Sequence, residues 1–113
     1  MTTPTQRALA DARGLGFTCQ VVERWNPYAR VRVDLFGCID IIAVREGVGI
    51  LGIQACAGAS HAARLAKARE QPGLAAWLAA GGRFEVWSYA KRGERGKRKT
   101  WTLRREEIRA GGA

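Results

Sequence analysis

Two apolar runs joined by a glycine turn occupy the middle of the chain: CIDIIAV (38–44), then REGVG (45–49), then GILGIQACA (49–57). Apart from Asp40 and Gln54 these runs hold no polar side chains, so they read as strands buried on both faces. The glycines of the turn set them as an antiparallel hairpin. Such a hairpin needs other layers to cover it, and the remaining residues must supply them.

On the N-terminal side, Ala8, Leu9 and Ala12 lie at helical spacing within 5–14, and Gly14 and Gly16 stop the helix. FTCQVVERW (17–25) is β-rich and precedes the turn signal Asn26-Pro27. Between RVRVDLF and CIDIIAV stands Gly37, a residue that inside a strand marks a bulge or bend. After the hairpin, Ser60 is a fair N-cap for a helix over 61–70. Pro72-Gly73 interrupts it, and helical spacing resumes over 74–80. FEVWSYA (84–90) alternates, with Phe84, Val86, Ser88 and Ala90 on one face and Glu85, Trp87 and Tyr89 on the other. Beyond a basic loop (91–99), TWTL is expected to add an edge strand and RREEIRA a frayed helical tail. Ile41, Ile42, Ile50, Leu51, Ile53, Trp77 and Leu78 are expected in the core, with Cys19 and Cys38 as buried thiols. The order α-β-β-β-α-β predicts an α/β protein, a mixed sheet flanked by helices. At 113 residues the chain reads as a single domain, 1–113, with a basic C-terminal extension from about residue 91.

Nineteen Lys and Arg oppose ten acids, a net charge of +9. This favours a polyanionic partner, whose phosphates the basic residues would neutralise. The excess is local: Lys91, Arg92, Arg95, Lys97, Arg98, Lys99, Arg104, Arg105 and Arg109 face only Glu94, Glu106 and Glu107. A binding arm is expected there, with DNA as its partner. No apolar run reaches the ~18–20 residues of a membrane helix, and MTTPTQR lacks the order of a secretory signal. Three dispersed cysteines argue against a disulfide framework and for a reducing cytoplasm. One His and no CxxC pair leave zinc unsupported.

Gln54 and Cys56, two apart on a strand, project from one face, and Asp40 can join them if the register places it opposite. Asp34 lies six residues earlier, about 20 Å along a straight strand at ~3.3 Å per residue. It can share a metal with Asp40 only if Gly37 breaks the strand.

Asp40 ahead of the Gln54-x-Cys56 strand, within this element order, resembles the PD-(D/E)XK nuclease superfamily. Among its members, the small archaeal-type Holliday junction resolvases and related phage nucleases are most similar. The resemblance covers roughly residues 5 to 90. It implies a restriction-endonuclease-like core, phosphodiester hydrolysis and Mg²⁺ (or Mn²⁺) held at Asp40 and Gln54; Asp34, if the chain bends, is a further candidate ligand, with an ordinary turn or strand-end Asp as the alternative. It also implies duplex or branched DNA as substrate, and a homodimer. The family usually has Glu where Gln54 stands and Lys where Cys56 stands; a first-helix Glu has Gln6 as its nearest counterpart. The cation can migrate to the following helix, where His61, Arg64 and Lys67 form a drifting polar stripe; Lys67 is then the catalytic candidate. His61 and Arg64 are candidate phosphate contacts, with Lys91, Arg92, Arg95, Lys97, Arg98 and Lys99. A solvated helix face is the alternative reading of that stripe. Trp25 and Tyr28 either stack on unpaired bases or close the rim of a small core. Three functions remain open: a metal-dependent endonuclease, a DNA-binding module of the same fold with a decayed site, or a basic adaptor for RNA or protein.

Overall fold

The computed structural model describes residues 2–111. Helix α1 (Pro4–Gly14) opens with a reciprocal cap. The Thr3 hydroxyl accepts from the Gln6 amide at 3.2 Å, and the Gln6 side chain accepts from the Thr3 amide at 2.9 Å. Strand β1 (Thr18–Val21) follows, then a short pair, β2 (Arg24–Asn26) and β3 (Val31–Val33), that forms a separate two-stranded arm. The hairpin strands are β4 (Ile41–Arg45) and β5 (Gly49–Ala57). Helices α2 (His61–Arg69) and α3 (Pro72–Ala79) lead to β6 (Arg83–Arg92) and β7 (Thr100–Ile108).

The main sheet runs β1-β4-β5-β6-β7, antiparallel except between β5 and β6. That parallel pair is bridged by α2 and α3, as a parallel connection requires. The fold is therefore α/β, with a mixed five-stranded sheet flanked by helices. The two apolar runs pair antiparallel, Ile41 opposite Ile53 and Arg45 opposite Gly49. Both faces of the sheet are covered. Ile41, Ala43, Leu51, Ile53, Trp87 and Tyr89 pack with Ala8 and Ala12 of α1. Ile39, Cys56, Phe84 and Val86 pack with Leu65, Ala68 and Leu74 of α2 and α3. The alternation of 84–90 is realised in this division. At Gly52 a Cβ would lie 2.8 Å from Ile39 Cδ1, so only glycine lets Ile39 cross β5 there.

Three expectations are corrected. The strand 17–25 is two, because the chain leaves the sheet after Val21 and β2 turns to pair with β3. Ile50 is exposed, as is its ladder partner Val44, because both lie beside the turn at the end of the hairpin. RREEIRA is not helical: 104–108 continue β7 against β6 in register, Arg105 opposite Trp87 and Ile108 opposite Phe84.

Buried partners on β6 explain that last outcome. Glu85 is 5 % exposed, and its carboxylate accepts from Trp87 Nε1 at 2.8 Å and from Arg105 Nε and Nη2 at 2.7 and 3.2 Å. Arg83 pairs with Glu107 at 3.0 Å, and Ile108 is buried against the α2–α3 side. A helical tail would forfeit all of these, whereas helix propensity offers only tenths of a kcal/mol per residue. Arg105→Ala should lower stability by about 2 kcal/mol, the scale of hydrogen bonds to a charged group. Arg105→Lys should recover only part, lacking the guanidinium fork. Urea unfolding midpoints of the three proteins measure this.

Candidate functional site

Strand directions gather several segments at one end of the sheet. β1 ends where β4 begins, and β5 and β6 end there too. Glu23 follows β1, Asp34 follows β3, Asp40 precedes β4 and Gln54 lies late in β5. With Arg32 of β3 and Arg64 and Lys67 of α2 they line a cleft of about 280 Å³.

Asp34 and Asp40 meet because the chain reverses between them. Leu35 and Ile39 form an isolated antiparallel bridge, and the Gly37 amide donates to the Asp34 carbonyl at 3.1 Å. Phe36 (φ 54°) and Gly37 (φ 76°) are both left-handed. The positive φ at Gly37 favours glycine there, and a Cβ would also push aside the flexible end of the Gln71 side chain, 2.4 Å away. Glu23 arrives independently, from the bend that releases the chain out of β1. One oxygen from each of Glu23, Asp34 and Asp40 lies within 4.8 Å of the others.

Local donors hold these carboxylates. The Ala55 amide donates to Asp40 Oδ2 at 2.9 Å, and Gln54 Nε2 donates to Asp34 Oδ2 at 3.2 Å. Arg32 approaches Glu23 at 3.8 Å. Asp40 is 4 % exposed. Burial first, then the hydrogen bond and charge of Asp34 and the charge of Glu23, push its carboxyl up to about 8, against the Ala55 donor. Cys38 beneath is pushed up to about 11, by burial and then by Asp34 and Asp40, and stays a thiol.

Asp34, Asp40, Gln54, Arg64 and Lys67 are thus brought together as the sequence suggests. Gln54, however, presents its amide nitrogen to Asp34 and positions a carboxylate; Glu23 supplies the third acid that position 54 lacks. Gln6 is not a counterpart of a first-helix Glu, because its side chain is committed to the α1 cap. Glu23 lies inside the apolar-flanked stretch VVERW, where no motif marks it. Its one signal was a charge at the boundary between a β run and a turn.

His61 is corrected: it is 2 % exposed and does not line this cleft. Its Nδ1 lies 2.6 Å from Ser88 Oγ and its Nε2 3.1 Å from Glu106 Oε1. Residues 61, 65 and 68 form the buried stripe of α2, and a stripe drifting about 60° per three residues carries 64 and 67 out to the cleft while 61 turns inward. Ser60 stands at the N-cap without a side-chain cap bond. Cys56 is buried in the apolar cluster, its thiol raised by burial, and offers no cation. Lys91, Arg92, Arg95, Lys97, Arg98 and Lys99 are all exposed, the first two at the end of β6 and the rest in the loop that leads to β7. Trp25 and Tyr28 are 55 % and 98 % exposed and close no core rim. Among the described residues, no helix is long and apolar enough to cross a membrane. Comparison of the chain with family models, curated proteins and solved structures gives no match in any of the three.

The Asp40 carboxyl, raised from 3.8 to about 8, has a stability consequence. Between those values the folded state binds more protons than the unfolded one, so stability falls as pH rises, by at most about 1.4 kcal/mol per unit for one proton. It is full below pH ~4 and lost as pH climbs through ~8. Asp40→Asn should flatten this slope and raise the melting temperature at pH 8. Thermal melts from pH 4 to 9 without divalent ions measure it; a wild-type profile that rises over this range would contradict it.

Proposed function

We propose that the protein is a divalent-metal-dependent endonuclease of restriction-endonuclease-like fold, in the manner of the small Holliday junction resolvases. The observation that carries the reading is the convergence of Glu23, Asp34 and Asp40 in one cleft with Arg64 and Lys67 opposite. The order α1, β1, β4, β5, α2–α3, β6 supports it, with Asp40 opening β4 and Gln54 in β5.

The donor set fits Mg²⁺ or Mn²⁺. Octahedral ligands at ~2.1 Å stand about 3.0 Å apart when adjacent and about 4.2 Å when opposite. Three carboxylate oxygens within 4.8 Å need only a small adjustment to reach this. Hard oxygens without thiolate or imidazole suit these ions over zinc. When bound, the ion supplies an activated water and neutralises phosphate charge. Glu23, Asp34 and Asp40 would hold it, while Gln54 and the Ala55 amide keep two of the carboxylates aimed. Arg64 and Lys67 would hold the phosphate oxygens where negative charge grows during displacement. Burial of Asp40 keeps competing water off its inner oxygen.

Two basic arms leave the sheet at the same end as the cleft. One is β2–β3 with Arg24, Arg30 and Arg32; the other is the tip of β6–β7 with six Lys and Arg against Glu94. They would grip a DNA backbone on either side. A homodimer would present two clefts to two strands. Gln54 and Cys56, where the family carries Glu and Lys, favour a second reading: a module that binds DNA without cutting it.

Turnover of a labelled four-way junction and a plain duplex separates the readings. Wild type should cut in millimolar Mg²⁺ or Mn²⁺ and stop in EDTA. Asp40→Asn should remove cutting, and Lys67→Ala should slow it about 100-fold, the scale of one lost electrostatic donor. Cutting that survives EDTA and Asp40→Asn would place the chemistry elsewhere; intact binding without cutting would leave the binding module. Replacing Arg95, Lys97, Arg98 and Lys99 by Ala should flatten the slope of log K against log salt by up to about 3.6, from ~0.9 per phosphate contact.

A further inference from the structure

Among the described residues the β2–β3 arm pairs with no other strand, and it displays two aromatic rings. Tyr28 is 98 % exposed and Trp25 55 %, costly exposure for large rings on a short hairpin. The tip is held firmly: Asn26 Oδ1 accepts from the Tyr28 and Ala29 amides at 3.0 and 3.1 Å, and Pro27 restricts the turn.

The arm is also tied to the acidic cleft. It leaves the fold after Glu23 and returns at Asp34, so two of the three carboxylates are its hinges. Trp25 is paired directly with Arg32, so both side chains stand on the same face of the arm. Arg32 lines the cleft and reaches Glu23. At ~3.3 Å per residue Trp25 stands about 7 Å beyond Glu23, roughly the distance from a phosphate to a neighbouring base or two.

Resting on the nuclease reading, we propose that β2–β3 is a stacking finger whose Trp25 and Tyr28 engage unpaired bases beside the cleft, directing the enzyme to DNA with single-stranded or branched segments. Bases in a continuous duplex are already stacked and offer no free face, whereas unpaired bases accept aromatic rings whatever their sequence. Arg24, Arg30 and Arg32 supply the charge that attracts the backbone, with no acid between residues 24 and 32. A protein partner would also cover exposed rings, but three arginines on so small an arm favour a polyanion.

The test is equilibrium binding of a labelled duplex and of the same duplex carrying a single-stranded flap, in EDTA so that nothing is cut. Wild type, Trp25→Ala/Tyr28→Ala and Trp25→Phe/Tyr28→Phe are compared, with thermal melts confirming that each folds. Wild type should prefer the flap, and the alanine pair should lower the ratio of flap to duplex affinity about tenfold, within the range for loss of a base–aromatic stack. The phenylalanine pair should restore most of it. A wild type without preference, or an alanine pair with an unchanged ratio, would overturn the finger. Cutting assays on the same DNAs in Mg²⁺ keep the two claims apart. A flap preference lost with the rings in a protein that never cuts would retain the finger and reject hydrolysis. Cutting with an unchanged ratio would do the reverse.

Discussion

Like charges held a few ångströms apart in a half-dry cleft repel strongly. At an effective dielectric of about 20, two carboxylates 4 Å apart cost about 4 kcal/mol. Glu23, Asp34 and Asp40 bring one oxygen each within 4.8 Å of the others, so full ionisation would create three repulsions of this kind, each somewhat weaker. The donors supplied by Ala55 and Gln54 offset only part, since a hydrogen bond to a charged group contributes about 1.5–3 kcal/mol net. Burial first, and then Asp34 and Glu23, raise the Asp40 carboxyl to about 8, so that the protonated form relieves part of this repulsion. A small cation held by these carboxylates would relieve the same repulsion by displacing the Asp40 proton, which makes such binding tighter as pH rises.

This repulsion has to be maintained by the backbone, and the reversal between Asp34 and Asp40 does so. Phe36 adopts a left-handed conformation that costs a non-glycine residue about 1–2 kcal/mol. Its ring offsets that by packing on Trp77 of α3, with centroids 6.3 Å apart. Trp77 is fastened in turn by its indole N–H to the Arg83 carbonyl at 2.8 Å, at the start of β6. The acidic cluster is therefore held from the sheet through α3, and the apolar packing of α3 contributes to the geometry of a polar site it does not touch.

The buried hairpin and the alternation of β6 were legible because their periodicity records burial on two faces directly. The convergence of Asp34 and Asp40 was legible as a condition, that Gly37 must break the strand, because a glycine between two β runs marks such a bend. Three features were not legible, each for a reason that lies across the sheet. Glu23 enters the site only because β1 stops at Val21, which depends on its pairing with β4. His61 looks like a surface residue at a helix start, yet Ser88 and Glu106, distant in sequence, bury it. RREE fits a helix or a strand equally well alone, and the buried carboxylate of Glu85 on β6, which takes Arg105 as its partner, decides between them.

Charge of opposite sign is segregated over short distances at this end of the sheet. The cleft holds three acids, while the two arms beside it carry an excess of Lys and Arg. Arg32, Arg64 and Lys67 offset the acids within the cleft, so long-range attraction for a phosphate backbone would originate chiefly in the arms. Their charges act over about 10 Å at 0.1 M salt, far enough to hold a backbone against the sheet end before any group enters the cleft. Arg64 and Lys67 lie between the two fields and are the only cations of α2 that line the cleft. For the proposed nuclease, this division would separate two tasks that conflict in one place: a uniformly basic cleft would bind phosphate and exclude a metal, and a uniformly acidic end would bind a metal and repel its substrate.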